Sequence, residues 1–190
     1  RDLERRMALA SRQQEQREVT IEQGRFGAIF EFELDACTAG RRHPVLDVAV
    51  QFTDLAPGQI LLDSRDDAGR GYVLRTGDRA NVRFEMSDGW QSAFWDSDAG
   101  LLKTNATQHI VAILDGRAKV ISFVIDGALC DGGKERQFGF GRFNPTFKDI
   151  SGGKNLQLAP QLNGELKHAR LYTRALRTSE AIGNFHALSP

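Results

Sequence analysis

No apolar run in this sequence approaches the roughly 20 residues that a helix needs to span a bilayer. No signal peptide is visible either. Cysteine is scarce, with only Cys37 and Cys130. Neither has a second Cys or a His close by in sequence, which argues against a metal site built on the pair. Two readings of them remain: buried thiols of the core, or one disulfide joining distant strands of a secreted domain. An excess of one charge is also missing, because 25 basic residues meet 25 acidic ones. A nucleic-acid binder would show a basic surplus, so that class is set aside. Internal repeats and low-complexity stretches are absent, as is any Ser-His-Asp or metal-type spacing among His43, His109, His168 and His186. What is present is ordinary globular composition: 41% hydrophobic and 26% charged over 190 residues, enough for one domain with a single core. The chain starts at Arg1 rather than Met, so we expect a mature product or a piece of a longer protein.

The most legible stretch is Gln108–Gly133 (QHIVAILDGRAKVISFVIDGALCDGG). It holds two short runs rich in Val and Ile, Ile110–Leu114 and Val120–Ile125. β-Branched side chains suit a pleated surface, and the runs are too short for helices. Asp-Gly pairs at 115–116, 126–127 and 131–132 punctuate them. That dipeptide supplies the positive φ angles of hairpin turns, so a three-stranded antiparallel meander is predicted. Asp115 and Asp126 are therefore read as turn chemistry, not as site residues.

Residues 1–18 are rich in Arg, Glu and Gln, with Leu3, Met7 and Leu9 or Ala10 at helical spacing. They form one expected unit, a short helix or linker, and residues 19–190 form the domain. From Val19 the pattern is β. Phe30, Phe32 and Leu34 alternate with Glu31, Glu33 and Asp35, and Leu46, Val48, Val50 and Phe52 alternate with Asp47, Ala49, Gln51 and Thr53. Such alternation predicts half-buried strands with one wet face. Further strands are expected at Gln59–Asp63, Tyr72–Arg75, Asn81–Met86, Trp90–Asp96, Gln137–Phe143, Asn155–Ala159 and Glu165–Tyr172. Thr178 or Ser179 caps an expected helix, Glu180–Phe185. Ten or more short strands with regular turn signals mean an all-β sandwich or barrel.

Three segments resemble the laminin-G-like and pentraxin-like jelly rolls of the concanavalin A-like lectin/glucanase superfamily. Thr107–Ile113 (TQHIVAI) is similar to that group's "WHHVA" strand, and Val120–Leu129 (VISFVIDGAL) to its "YVDGxL" hairpin. Gly164-Glu165-Leu166, Ala169–Tyr172 and Arg174–Glu180 (RALRTSE) resemble its closing strand and helix. The likeness covers roughly residues 19–187. It implies a two-sheet antiparallel β-sandwich with a short C-terminal helix. It also implies a carbohydrate-binding, lectin-like accessory module of a larger secreted or cell-surface protein. Carbohydrate or polysaccharide and other domains of the same polypeptide are the implied partners, with no nucleic acid and no membrane insertion. The runner-up is a structural module packing on its parent enzyme, and third is a divergent glycoside hydrolase or lyase.

Glucan-cleaving members of that superfamily carry an E-x-D-x-(x)-E run on one strand, which places the acid and nucleophile on one face. Glu31-Phe32-Glu33-Leu34-Asp35 alternates correctly but has the wrong order of residue types and lies near the domain's start. No catalytic residue is assigned, and no cofactor is required. Calcium is the one metal with a foothold, since Asp96-x-Asp98-x-Gly100 could open a loop of hard oxygen ligands. Sugar recognition needs aromatic platforms and planar polar groups. The aromatic candidates are Trp90, Tyr72 and Trp95, flanked by Arg70, Asp88, Gln91, Arg75 and Asp96. Trp90 and Trp95 are five apart on one predicted strand and so face opposite sides. Trp90, at the hairpin tip, is the expected exposed member. The expected ligand-binding set is Trp90, Tyr72, Arg70, Asp88 and Gln91. Asn105-Ala106-Thr107 is a formal glycosylation sequon.

Overall fold

The computed structural model describes residues 19–22, 29–31, 45–132, 141–148, 150, 152–153, 155–172 and 174–188. The expected helix or linker over 1–18, strand residues 32–35, Cys37, His43 and strand residues 137–140 lie outside the described residues. Two antiparallel sheets carry the domain. The first follows the order β1 (Val19–Glu22), β13 (Gly164–Tyr172), β3 (Val45–Phe52), β8 (Thr107–Asp115), β9 (Val120–Ile125), β10 (Ala128–Leu129), with β11 (Gly141–Arg142) also paired to β9. The second follows β2 (Ile29–Glu31), β12 (Asn155–Leu158), β4 (Ile60–Asp63), β5 (Gly71–Thr76), β6 (Val82–Ser87), β7 (Ser92–Asp96). This is the expected two-sheet sandwich.

The predicted meander is β8, β9 and β10. Asp115 Oδ1 accepts the N–H groups of Arg117 at 2.8 Å and Ala118 at 3.1 Å, fixing the first turn. The second turn is Asp126-Gly127, with φ of 49° and 74°, the two positive values that a type I′ hairpin requires. Asp126 also braces the neighbouring strand. Its Oδ1 accepts His109 N–H at 2.8 Å and its Oδ2 accepts Gln108 Nε2 at 2.9 Å.

The main core lies between the sheets. Leu46, Val48, Val50 and Phe52 of β3 meet Tyr72, Leu74, Phe84 and Met86 of the facing sheet, all but fully buried. Sequence alternation predicted a wet outer face for β3, but Asp47 is wholly buried and Ala49 nearly so. The cause is the helix α1 (Thr178–Leu188), which lies over that face and builds a second apolar cluster from Val45, Val111, Ile113, Val124, Leu176 and Ala181. The helix starts at Thr178 and runs longer than predicted. Its first turn is closed by Glu180, whose Oε2 accepts the N–H of Arg177 at 2.7 Å, a reach-back that satisfies an otherwise orphaned donor. The guanidinium of Arg174, and after it that Arg177 N–H, hold the Glu180 carboxyl down at about 2.

The carboxylate of Asp47 is fully removed from water, which costs several kcal/mol unless it is paired. His109 Nε2 lies 2.6 Å from Asp47 Oδ1, and Asn184 Nδ2 donates to Asp47 Oδ2 at 2.7 Å and to the Tyr172 hydroxyl at 2.9 Å. The helix thus brings an amide, and β8 an imidazole, to one acid on β3. Replacing Asp47 by Ala strands both partners and should cost about 3–5 kcal/mol. Asn184→Ala should cost about 1–3 kcal/mol, the loss of its hydrogen bonds to Asp47 and to the Tyr172 hydroxyl. Urea unfolding of the two variants beside wild type measures both. Equal stability of Asp47→Ala and wild type would show the network to be idle.

Candidate functional site

Cα pairing of Gly71 with Ser87 places loops 64–70 and 88–91 at the same end of the second sheet. Loop 144–153 joins them there: Lys148 N–H donates to Asp88 Oδ2 at 3.0 Å, and Gly153 N–H to the Ser64 carbonyl at 2.8 Å. Gly152 has φ of 71°, and a Cβ on it would stand 2.1 Å from the Ser64 carbonyl oxygen. Only glycine permits that approach.

Four of the five predicted site residues gather at this end. Trp90, in the β6–β7 turn, is 91% exposed. Asp88 and Gln91 are turned inward on structural duty. Asp88 Oδ1 accepts the N–H groups of Trp90 and Gln91, each at 3.0 Å, while Oδ2 takes Gln91 Nε2 at 3.3 Å beside Lys148 N–H. Gln91 also reaches the Thr146 hydroxyl at 3.1 Å. Burial works against ionisation of Asp88, yet the N–H donors of Lys148, Gln91 and Trp90 outweigh it and hold the carboxyl well below the usual range. Arg70 is exposed and paired with Asp66, its Nε to Oδ2 at 3.0 Å. Tyr72 must be withdrawn as a sugar platform. It is 1% exposed and stacks on Phe84, ring centroids 5.9 Å apart. Its place in the β5 alternation turns it to the core with Leu74.

The structure shows a second group of residues on the outer face of β4–β7. Register aligns Asp96, Arg83 and Arg75 in one cross-strand row, and Phe94, Glu85, Val73, Asp63 and Gln157 in the next. Arg83 holds Asp96 bidentately, Nε to Oδ1 and Nη2 to Oδ2 both at 2.7 Å. Arg75 Nε donates to Glu85 Oε1 at 2.9 Å, and Arg65 Nε to Asp63 Oδ1 at 2.9 Å. The Arg83 guanidinium carbon sits 4.2 Å from the Phe94 ring centroid, a cation–π contact that steadies both. Phe94 is 57% exposed. Trp95, one residue on, turns the other way, packs on the core and meets Phe143 edge-on at 6.0 Å. Where this face meets the next loop, a pocket of ≈ 220 Å³ is lined by Arg79, Phe94, Trp95, Asp96, Ser97, Asp98 and Gly132. Phe94, Arg83, Glu85 and Arg79 escaped the sequence reading. The signal for Phe94 was there in the alternation: with Trp95 inward, Phe94 has to face out.

An exposed aromatic face, fixed guanidinium donors and fixed carboxylate acceptors suit a ligand with one apolar side and many hydroxyls. The calcium candidates Asp96 and Asp98 both line this pocket. Both oxygens of Asp96 are engaged by Arg83, and the described residues contain no group of three or more His, Cys, Asp or Glu able to hold a metal ion. His109 and His168 are buried in the sheet, not in this face. Among the described residues, no helix is long and apolar enough to cross a membrane.

A family model for the concanavalin A-like lectin/glucanases superfamily matches residues 49–181. The chain belongs to that family, and more narrowly to its laminin-G-like branch. No curated protein matches the sequence. Among solved structures, the chain is similar to the Ruminococcus gnavus IT-sialidase CBM40 bound to α2,3-sialyllactose, with 18% identity and a TM-score of 0.64, covering 88% of this chain and 95% of that one. It is also similar to the leech intramolecular trans-sialidase (16% identity, TM-score 0.60, 91% of this chain and 27% of that). A third likeness is to the binding domain of botulinum neurotoxin serotype G (9% identity, TM-score 0.65, 90% of this chain and 42% of that). At these identities the likenesses speak for the fold.

Because the folded-state carboxyl of Asp88 is depressed, its contribution to stability is fully present above about pH 4, the ordinary Asp value, and is lost as pH falls below it. Asp88→Asn should therefore lower stability at neutral pH and flatten the acid limb of a Tm-versus-pH curve between about pH 5 and 2. An unchanged acid limb would show that Asp88 does not act as this clamp.

Proposed function

We propose that this domain is a non-catalytic carbohydrate-binding module, an accessory part of a larger secreted or cell-surface protein that acts on glycans. The observation that carries the proposal is Phe94. It is a large aromatic, more than half exposed, held by Arg83 beside a polar pocket. A ring more than half exposed buries little apolar surface, and an aromatic framed by oriented polar groups beside a pocket suits a recognition surface. The pyranose ring lays its C–H face on Phe94. Its hydroxyls accept from Arg79 and Arg83 and donate to the carboxylates of Asp96 and Asp98. Arg83 and Asp96 are already fixed by each other, so binding orders few side chains.

Two kinds of support stand behind the reading. Similar folds include a carbohydrate-binding module solved with sialyllactose bound. In the leech trans-sialidase the matched part is 27% of the chain, so this fold occurs there as one portion of a larger enzyme. Trp90, at the other end of β7, is a second exposed aromatic and a second proposed contact.

Glycan-array screening followed by calorimetry tests the proposal. We expect binding in the micromolar range, reduced about tenfold or more by Phe94→Ala, the cost of removing a central aromatic anchor. Circular dichroism should show the variant folded, since Phe94 supports no core. Failure to bind any glycan would sink the reading and favour a module that only packs on its parent.

A further inference from the structure

We infer that the ligand is an uncharged oligosaccharide chain laid along the edge strand β7, rather than a single acidic terminal sugar. This rests on the carbohydrate reading above and sharpens it. The first observation is charge. Each guanidinium of the outer face whose partner is seen is already neutralised: Arg65 by Asp63, Arg75 by Glu85, Arg83 by Asp96. A carboxylate-bearing sugar would have to displace one of these acids, leaving it beside the incoming charge, and like charges repel at that range. Hydroxyl groups need no such exchange. They both donate and accept, so they bridge an existing ion pair without breaking it.

The second observation is the placement of the two exposed aromatics. Phe94 stands in the middle of β7, beside the pocket that closes around Asp96 and Asp98. Trp90 stands just before the strand begins, in the turn that Asp88 clamps. They are four positions apart, with Trp90 in the turn and β7 extended from Ser92, which allows up to roughly 13 Å at the rise of a β-strand, longer than one sugar ring. Between them Ser92 is exposed and small, which leaves the path unobstructed. Among the described strands β7 ends its sheet, so a ligand laid along it meets no further described strand. Asp88 is then a positioning residue. Four hydrogen bonds converge on its carboxylate and keep the outer aromatic at a fixed distance from the inner one.

The test is calorimetric titration of the folded domain with neutral gluco-, manno- and xylo-oligosaccharides of two to six units, and with α2,3-sialyllactose. Wild type, Trp90→Ala and Phe94→Ala are compared at low and high salt. We expect affinity to rise with length for one neutral series and to change little with salt. Trp90→Ala should remove the gain from the longer chains, about tenfold, and Phe94→Ala should weaken every length. Three outcomes would overturn the inference and leave the carbohydrate reading standing: affinity independent of length, a length gain untouched by Trp90→Ala, or tighter binding of sialyllactose than of every neutral chain. Absence of binding to all of the sugars would overturn both.

Discussion

One buried carboxylate organises this domain. Asp47 sits in the middle of the central strand β3, on the face that alternation would have given to water, with no exposed surface at all. An acid there is tolerable only if it is paired, and each of its oxygens takes a partner from far away in sequence: His109 on β8 and Asn184 on α1. Meeting that demand pulls the helix down over the first sheet, where the apolar cluster around Val111 and Val124 then holds it. The first sheet is thereby buried on both faces along β3. The exposed aromatic and the paired charges suited to recognition stand on the second sheet and its β7 end.

The second sheet shows the complementary solution. Its inner face is apolar and continuous with the core, while its outer face is a lattice of acids and arginines that satisfy one another. Such pairs contribute little to stability when exposed. Their consequence is geometric, because each side chain arrives pre-oriented. Phe94 owes its fixed place to this lattice, through Arg83, in the same way that Trp90 owes its place to Asp88.

How much of this was legible beforehand depends on the range of the interaction. The meander was written locally, in β-branched runs and Asp-Gly pairs, and the fold resemblance lay largely in the same residues together with the closing Gly164–Glu180 segment. The exposure of Trp90 followed from its turn. Tyr72 misled because β5 is short and nearly all buried, so that Gly71–Leu74 carries no clear alternation to say which way the ring points. The outer-face rows were invisible for another reason. Arg83 opposite Asp96, and Arg75 opposite Arg83, are facts of cross-strand register, and register is set by turn geometry and bulges that composition does not encode. Asp47 was the hardest, since the residue that explains its burial lies 137 positions away.

Strand β13 occupies a place with a kinetic meaning. Among the described strands it is the last in sequence, yet it inserts between β1, the first of them, and β3, pairing Leu171 with Val19 on one side and with Leu46 on the other. Until β13 is made, β1 and β3 each hold a β-edge that waits for it. Pairings of such high contact order form slowly and leave apolar edges exposed while they wait. Closure of the first sheet, and with it the seat of the helix over Asp47, thus rests on pairings between distant parts of the described chain.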